Sequence, residues 1–199
     1  MSTSVPSAWP WPAPIDDGGA RHLVPGMSLP DIPLPATYAG GTVSLPPCGE
    51  GSGVAAPNEM ACPRSIVLAA LPGKSVVFIY PWTGRAGLPN PPDWDHIPGA
   101  HGSTPQAEGF RDLHADFTAL GAAVFGLSTQ DTAHHAELTA RLALPYPLLS
   151  DAGFVFARAL RLPTFETGGV TYLRRLTLIV HNGRLVSAFY PVHPPDTHA

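Results

Sequence analysis

The sequence predicts an α/β sandwich with parallel central strands and an antiparallel edge, and three observations carry that prediction. Residues 75–80 (SVVFIY) and 122–127 (AAVFGL) are short, unbroken apolar runs of the kind that fills a strand buried on both faces. Between them, Ala107, Phe110, Leu113, Phe117 and Leu120 recur at spacings of three and four, which marks one apolar helical face. Arg111, Asp112, His114 and Asp116 fall opposite it. Near the end, residues 176–181 and 185–190 flank Asn182-Gly183, a pair that tolerates the positive φ angles of a two-residue hairpin turn.

The other elements follow in order. Residues 1–25 are rich in proline around WPWPAP and read as an extended arm, either a loosely held tail or one pinned by Trp9 and Trp11. The remainder, 26–199, reads as one domain. Residues 29–45 suggest two short strands joined at Tyr38-Ala39-Gly40-Gly41, and 66–71 a brief apolar link. Two inserted loops are expected, at 46–64 and 82–102. A helix over 132–142, a strand over 146–149 and a helix over 154–160 complete the pattern.

Composition narrows the function. A formal charge of −4 gives no basis for binding nucleic acid or an anionic membrane surface, and no apolar run is long enough to cross a bilayer. The start of the chain lacks the basic and apolar regions of a secretory signal, and two cysteines are too few for a disulfide scaffold, so a cytoplasmic protein is expected.

The chemistry concentrates at the start of the helix after Gly102. Ser103, Thr104 and Pro105 offer caps and a first-turn proline, and Gln106 completes a capping box with Ser103. Such a helix start favours an anion, and Ser103 stands where a nucleophile needing that help would stand. An N-cap is the plainer role for it. A serine-hydrolase arrangement lacks the G-x-S-x-G motif and a fixed Asp–His–Ser order. Nine histidines raise a metal site, but none shows ligand spacing; the adjacent His134 and His135, with Glu137 nearby, and the tail residues His193 and His198 read as surface groups. Trp82, Trp94 and Tyr80 read as packing for the long loop. Of Arg174 and Arg175, one must point inward and find an anionic or carbonyl partner, such as Glu166 or Asp151. Cys48 and Cys62 are open to three readings: inert thiols, a structural disulfide, or a relocated redox pair.

Several stretches together resemble the peroxiredoxins, in particular their bacterioferritin-comigratory or Q-type branch: PDIPLPATYAG, KSVVFIYP, GSTPQAEGFRDLHADFTALGAAVFGLSTQD, LPYPLLSD with FARALRLPTF, and RRLTLIVHNGRL. The resemblance implies a thioredoxin-like sandwich, a mixed sheet flanked by helices, and thiol-dependent reduction of hydroperoxides. It implies a hydroperoxide substrate, a thiol reductant, no cofactor or metal, and a monomer or homodimer. It puts the peroxidatic cysteine position at Ser103 and the Q-type resolving position at Glu108. Arg175 would hold the thiolate and Pro81 would shield it. Both family cysteines are therefore replaced, and the threonine usual three residues before the nucleophile is Ala100. Glu108 is not the product of a single cysteine-to-serine design, which favours a natural loss. The expectation is a peroxidase by descent that is inactive as written at Ser103, or a non-catalytic binding or scaffold protein on the same fold.

Overall fold

A computed structural model describes residues 9–38 and 65–199 of the chain. A seven-stranded sheet forms its centre, its strands following one another across it as residues 65–67, 33–37, 148–150, 122–128, 74–79, 176–181 and 184–189. The middle strands β3 (Lys74–Ile79), β4 (Ala122–Ser128) and β5 (Leu148–Ser150) run parallel. On one side β8 (Leu176–His181) and β9 (Arg184–Phe189) are antiparallel, and on the other β1 (Pro33–Thr37) and β2 (Ser65–Val67) are.

The two-residue period of β3 builds two cores at once. Val77 and Ile79 point into one, with Phe125, Leu127, Leu149, Leu178 and helix α4 (Val155–Leu160). Val76, Phe78 and Tyr80 point into the other, under α1 (Ser103–Asp112) and α3 (Thr132–Leu142). There Phe78 stacks on Phe110 at 4.5 Å and meets Tyr146 edge-on at 5.7 Å, geometries that add to the burial of three large rings.

The structure departs from the sequence reading in five places. The long amphipathic helix is two helices, α1 and α2 (His114–Ala119), redirected at Leu113. Only the first half of the apolar stripe reaches the sheet: Phe117 leans on Phe110, while Leu113 and Leu120 face solvent. The apolar link at 66–71 begins as β2, whose Ile66 pairs with Leu34. Three residues are too few to show a period. A hairpin that the sequence reading left out, β6 (Thr164–Thr167) and β7 (Val170–Leu173), turns at Gly168-Gly169, both at positive φ. The strand expected over 146–149 starts later, because Tyr146 turns inward and its hydroxyl donates to the Ala107 carbonyl at 2.5 Å. Lastly, residues 9–25 are docked rather than loosely held: Gly99 N–H donates to Pro12 O, Ala20 and Leu23 enter the core, and Tyr190 Oη donates to Asp17. The second strand expected by residue 45, most of its turn, the loop at 46–64 and both cysteines lie outside the described residues. No helix among the described residues is long and apolar enough to cross a membrane.

Candidate functional site

The parallel strands deliver their C-terminal ends to one rim of the sheet, where α1 begins. Gly102 takes the N-cap position at φ +102, a left-handed conformation that favours glycine. A side chain there would also press on Pro195 and on Trp9. The expected capping box is absent: Ser103 is the first helical residue, and its hydroxyl is engaged elsewhere.

It is engaged by Arg175. The two-residue link between β7 and β8 sends Arg174 outward, to the Thr164 carbonyl and Asp17, and Arg175 inward. Arg175 Nη2 donates to Ser103 Oγ at 3.0 Å and to the His101 carbonyl at 3.1 Å, with Ala100 O at 3.4 Å. Its Nη1 donates to Gln106 Oε1. All its partners are neutral oxygens, and neither Glu166 nor Asp151 is among them. Burial alone pulls the guanidinium pKa down to about 9, which leaves it charged at neutral pH. Arg175 Nε and Gln106 Nε2 are buried without a hydrogen-bond partner among the described residues. The result is a cation short of compensation, aimed at the hydroxyl of Ser103.

A cleft of about 260 Å³ opens over this first turn, lined by Ser103, Thr104, His101 and Thr83 and by Trp9, Trp11, Trp82 and Trp94. Trp11 lies flat on the His101 ring at 3.8 Å, and the ring edge is held by a hydrogen bond between His101 Nε2 and Asp95 Oδ1 at 2.8 Å. Pro81 is buried just beyond β3, but the lining on that side comes from Trp82 and Thr83. Glu108 is half-buried on α1, about 140° around the axis from Ser103. No hydrogen bond or ion pair among the described residues joins Glu108 to the Ser103–Arg175 pair.

Sequence reasoning missed two polar clusters beside the cleft. His134 and His135 are not surface groups. His134 Nε2 meets the Thr83 carbonyl at 2.8 Å, and Gln130 clasps the Thr83 backbone with both ends of its amide. His135, fully buried, meets Ser128 Oγ at 2.8 Å and Tyr80 Oη at 3.2 Å. Burial drives its pKa down to about 4, so it stays neutral. Tyr80 accordingly belongs to the second core rather than to the loop, whereas Trp82 and Trp94 do pack the loop. The tail residue His198 is half-buried on Thr177, and desolvation lowers its pKa too. The signal available was the helix start itself, since α3 begins at the same rim as α1.

Residues 97–188 match the AhpC/TSA family. A putative peroxiredoxin Q, chloroplastic, of Oryza sativa subsp. indica is 37% identical over 111 residues, covering 53% of this chain and 44% of that protein. A putative peroxiredoxin of Mycobacterium tuberculosis is 28% identical over 130 residues, covering 65% and 75%. The chain thus spans about half the length of the rice relative. Among solved structures, the peroxidoxin BcpB from Mycobacterium tuberculosis superposes with a TM-score of 0.61 at 21% identity, over 89% of this chain and 92% of that one. A mutant of Xylella fastidiosa PrxQ gives 0.60 at 19%, over 86% and 87%. The chain thus shares the thioredoxin-like fold of these peroxiredoxin structures, and over residues 97–188 it is similar to the AhpC/TSA family.

Proposed function

We propose that Ser103 occupies the peroxidatic position and that the chain keeps a peroxiredoxin site for holding a ligand rather than reducing one. The observation that supports this most is the buried Arg175 guanidinium at 3.0 Å from Ser103 Oγ, with no carboxylate paired to it. Hydroperoxide reduction needs a thiolate that attacks one peroxide oxygen, releases an alcohol or water and becomes a sulfenic acid. A helix start and an arginine can ionise a thiol whose ordinary pKa is about 8.5, but cannot ionise an alcohol. Substrate and reductant, by family a hydroperoxide and a thiol, would then apply only to a chain with sulfur restored at 103.

The test is Ser103→Cys with a small thiol as reductant, because Glu108 leaves no resolving cysteine on α1. The variant should consume hydroperoxide and the native chain should not. Turnover by a native chain that also carries Cys48→Ala and Cys62→Ala would refute the reading, since it needs chemistry without sulfur. An inactive but folded Ser103→Cys would leave a non-catalytic pocket without a peroxidatic position.

A further inference from the structure

Residues 9–14 lie along the loop that enters α1 and wall one side of the cleft over Ser103. They read WPWPAP, and three prolines in six residues remove half of the backbone donors and fix φ. Such a segment is stiff and extended and cannot be drawn into a sheet.

Its contacts run antiparallel to residues 99–102. Trp9 stands at Gly102, where any side chain would strike its ring, and Trp11 stacks on His101 at 3.8 Å. Pro12 O accepts from Gly99 N–H at 3.2 Å, and Pro14 rests on Gly99, where a Cβ would come within 3.3 Å of it. Among the described residues no second hydrogen bond reaches 9–14, whose Pro10, Pro12 and Ala13 are exposed.

The attachment changes at Ile15, which is 83% exposed. Beyond it Asp17 accepts from Tyr190 Oη at 2.7 Å and pairs with Arg174 at 3.5 Å. Ala20 and Leu23 enter the core, and His22 Nε2 meets Leu160 O at 2.8 Å. The chain is bolted down from Asp17 onward and lightly held before it, which puts a pivot at Ile15-Asp16. The other cover of the helix start is built differently. Pro195, which presses on Gly102 from the opposite end of the chain, is buried, and its neighbours are fixed by buried Val192 and by His198 on Thr177. Of the two covers, residues 9–14 are the one that leaves without breaking into the core.

We propose that residues 9–14 are a strap that swings on Ile15-Asp16 while the domain stays folded, and that its opening governs which molecules reach position 103. With the strap closed the cleft measures about 260 Å³, below the roughly 300–1,000 Å³ of pockets that enclose drug-sized molecules. Small solutes enter it as it stands. Larger ones wait for Trp9 and Trp11 to leave. The inference concerns access, and it stands whether or not a cysteine at 103 reduces peroxide.

Two measurements on the full chain test it. Amide exchange at Gly99 reports the strap directly, because this N–H donates to Pro12 O. In the native chain it should exchange at least about a hundredfold faster than the amides of β3, with little dependence on dilute urea, as a local opening does. Exchange at the rate and urea dependence of β3 would mean that the segment leaves only on global unfolding, and overturns the proposal. The second measurement alkylates Ser103→Cys, in a Cys48→Ala, Cys62→Ala background, with iodoacetamide and with a fluorescein maleimide. Removing the ring stack by Trp11→Ala should raise Gly99 exchange and the maleimide rate by about tenfold each, and the iodoacetamide rate by less than about threefold. The ratio of the two rates cancels any change in thiol ionisation, so a ratio that Trp11→Ala leaves unmoved also overturns the proposal. Neither readout contains peroxide. An inactive Ser103→Cys with a shifted ratio defeats the peroxidatic position alone, and an active one with an unmoved ratio defeats the strap alone.

Discussion

A cysteine placed at position 103 should titrate well below an ordinary thiol. Arg175 Nη2 lies 3.0 Å from Ser103 Oγ, and the longer C–S bond sets sulfur at a similar contact distance. At an effective dielectric near 20, unit charges about 3.3 Å apart interact by about 5 kcal/mol, or roughly 3.5 pKa units. The first turn of α1 adds about 0.5 kcal/mol in the same direction. Burial works the other way, because Ser103 is 3% exposed; for a group facing a cleft we set this at roughly two units. The net expectation is an apparent pKa about two units below 8.5. The assay is the pH dependence of alkylation of Ser103→Cys in a Cys48→Ala, Cys62→Ala background. The midpoint should hold as salt is raised, since a buried pair is poorly screened. An apparent pKa at or above the ordinary thiol value would show that the guanidinium does not govern this position, and the argument would fail.

Two further outcomes follow from other parts of the molecule. His135 has a folded pKa of about 4 against 6.5 unperturbed, so between those values the unfolded chain binds more protons. Stability should therefore be intact above about pH 6.5 and fall as pH drops toward 4, by up to about 3 kcal/mol, with His134 and His198 adding in the same sense. Urea unfolding across that range should show a shallower slope for His135→Gln, and an unchanged slope would count against the assignment. Gly102→Ala combines a left-handed φ with contacts to Pro195 and Trp9, and should cost about 2–4 kcal/mol while shifting tryptophan emission. Gly121→Ala, with φ +66 and open space around it, should cost only about 1 kcal/mol; equal losses in thermal melts would remove the packing argument.

Local pattern made much of the fold legible. β3, β4, α3 and the β8–β9 hairpin were readable because each carries its own period or turn signal within a dozen residues. The β6–β7 hairpin was passed over although Gly168-Gly169 marked its turn. The break at Leu113 was not readable, because it depends on how far the sheet extends beneath the stripe. At the site, Ser103 was found through its helix start and Arg175 through kinship and the in/out alternation of the arginine pair. Gln106 was misassigned for a physical reason: its nearest sequence partner is a cap, but its spatial partner is 69 residues away. For His134 and His135, the inference that adjacent side chains diverge was sound. One turns to Thr83 and the other to Ser128, and both directions lead into protein. The gathering of four tryptophans has no local signature at all, since only the folded chain brings them together.

One guanidinium performs two duties here. Through the Ala100 and His101 carbonyls Arg175 fastens the end of the long loop to the sheet, and through Nη2 it charges the surroundings of position 103. Removing it would unfasten the loop and neutralise the pocket together, and no measurement on such a chain could tell the rivet from the electrode. The duties come apart only from the opposite partner, which makes side-chain exchange at 103 the informative handle on this molecule.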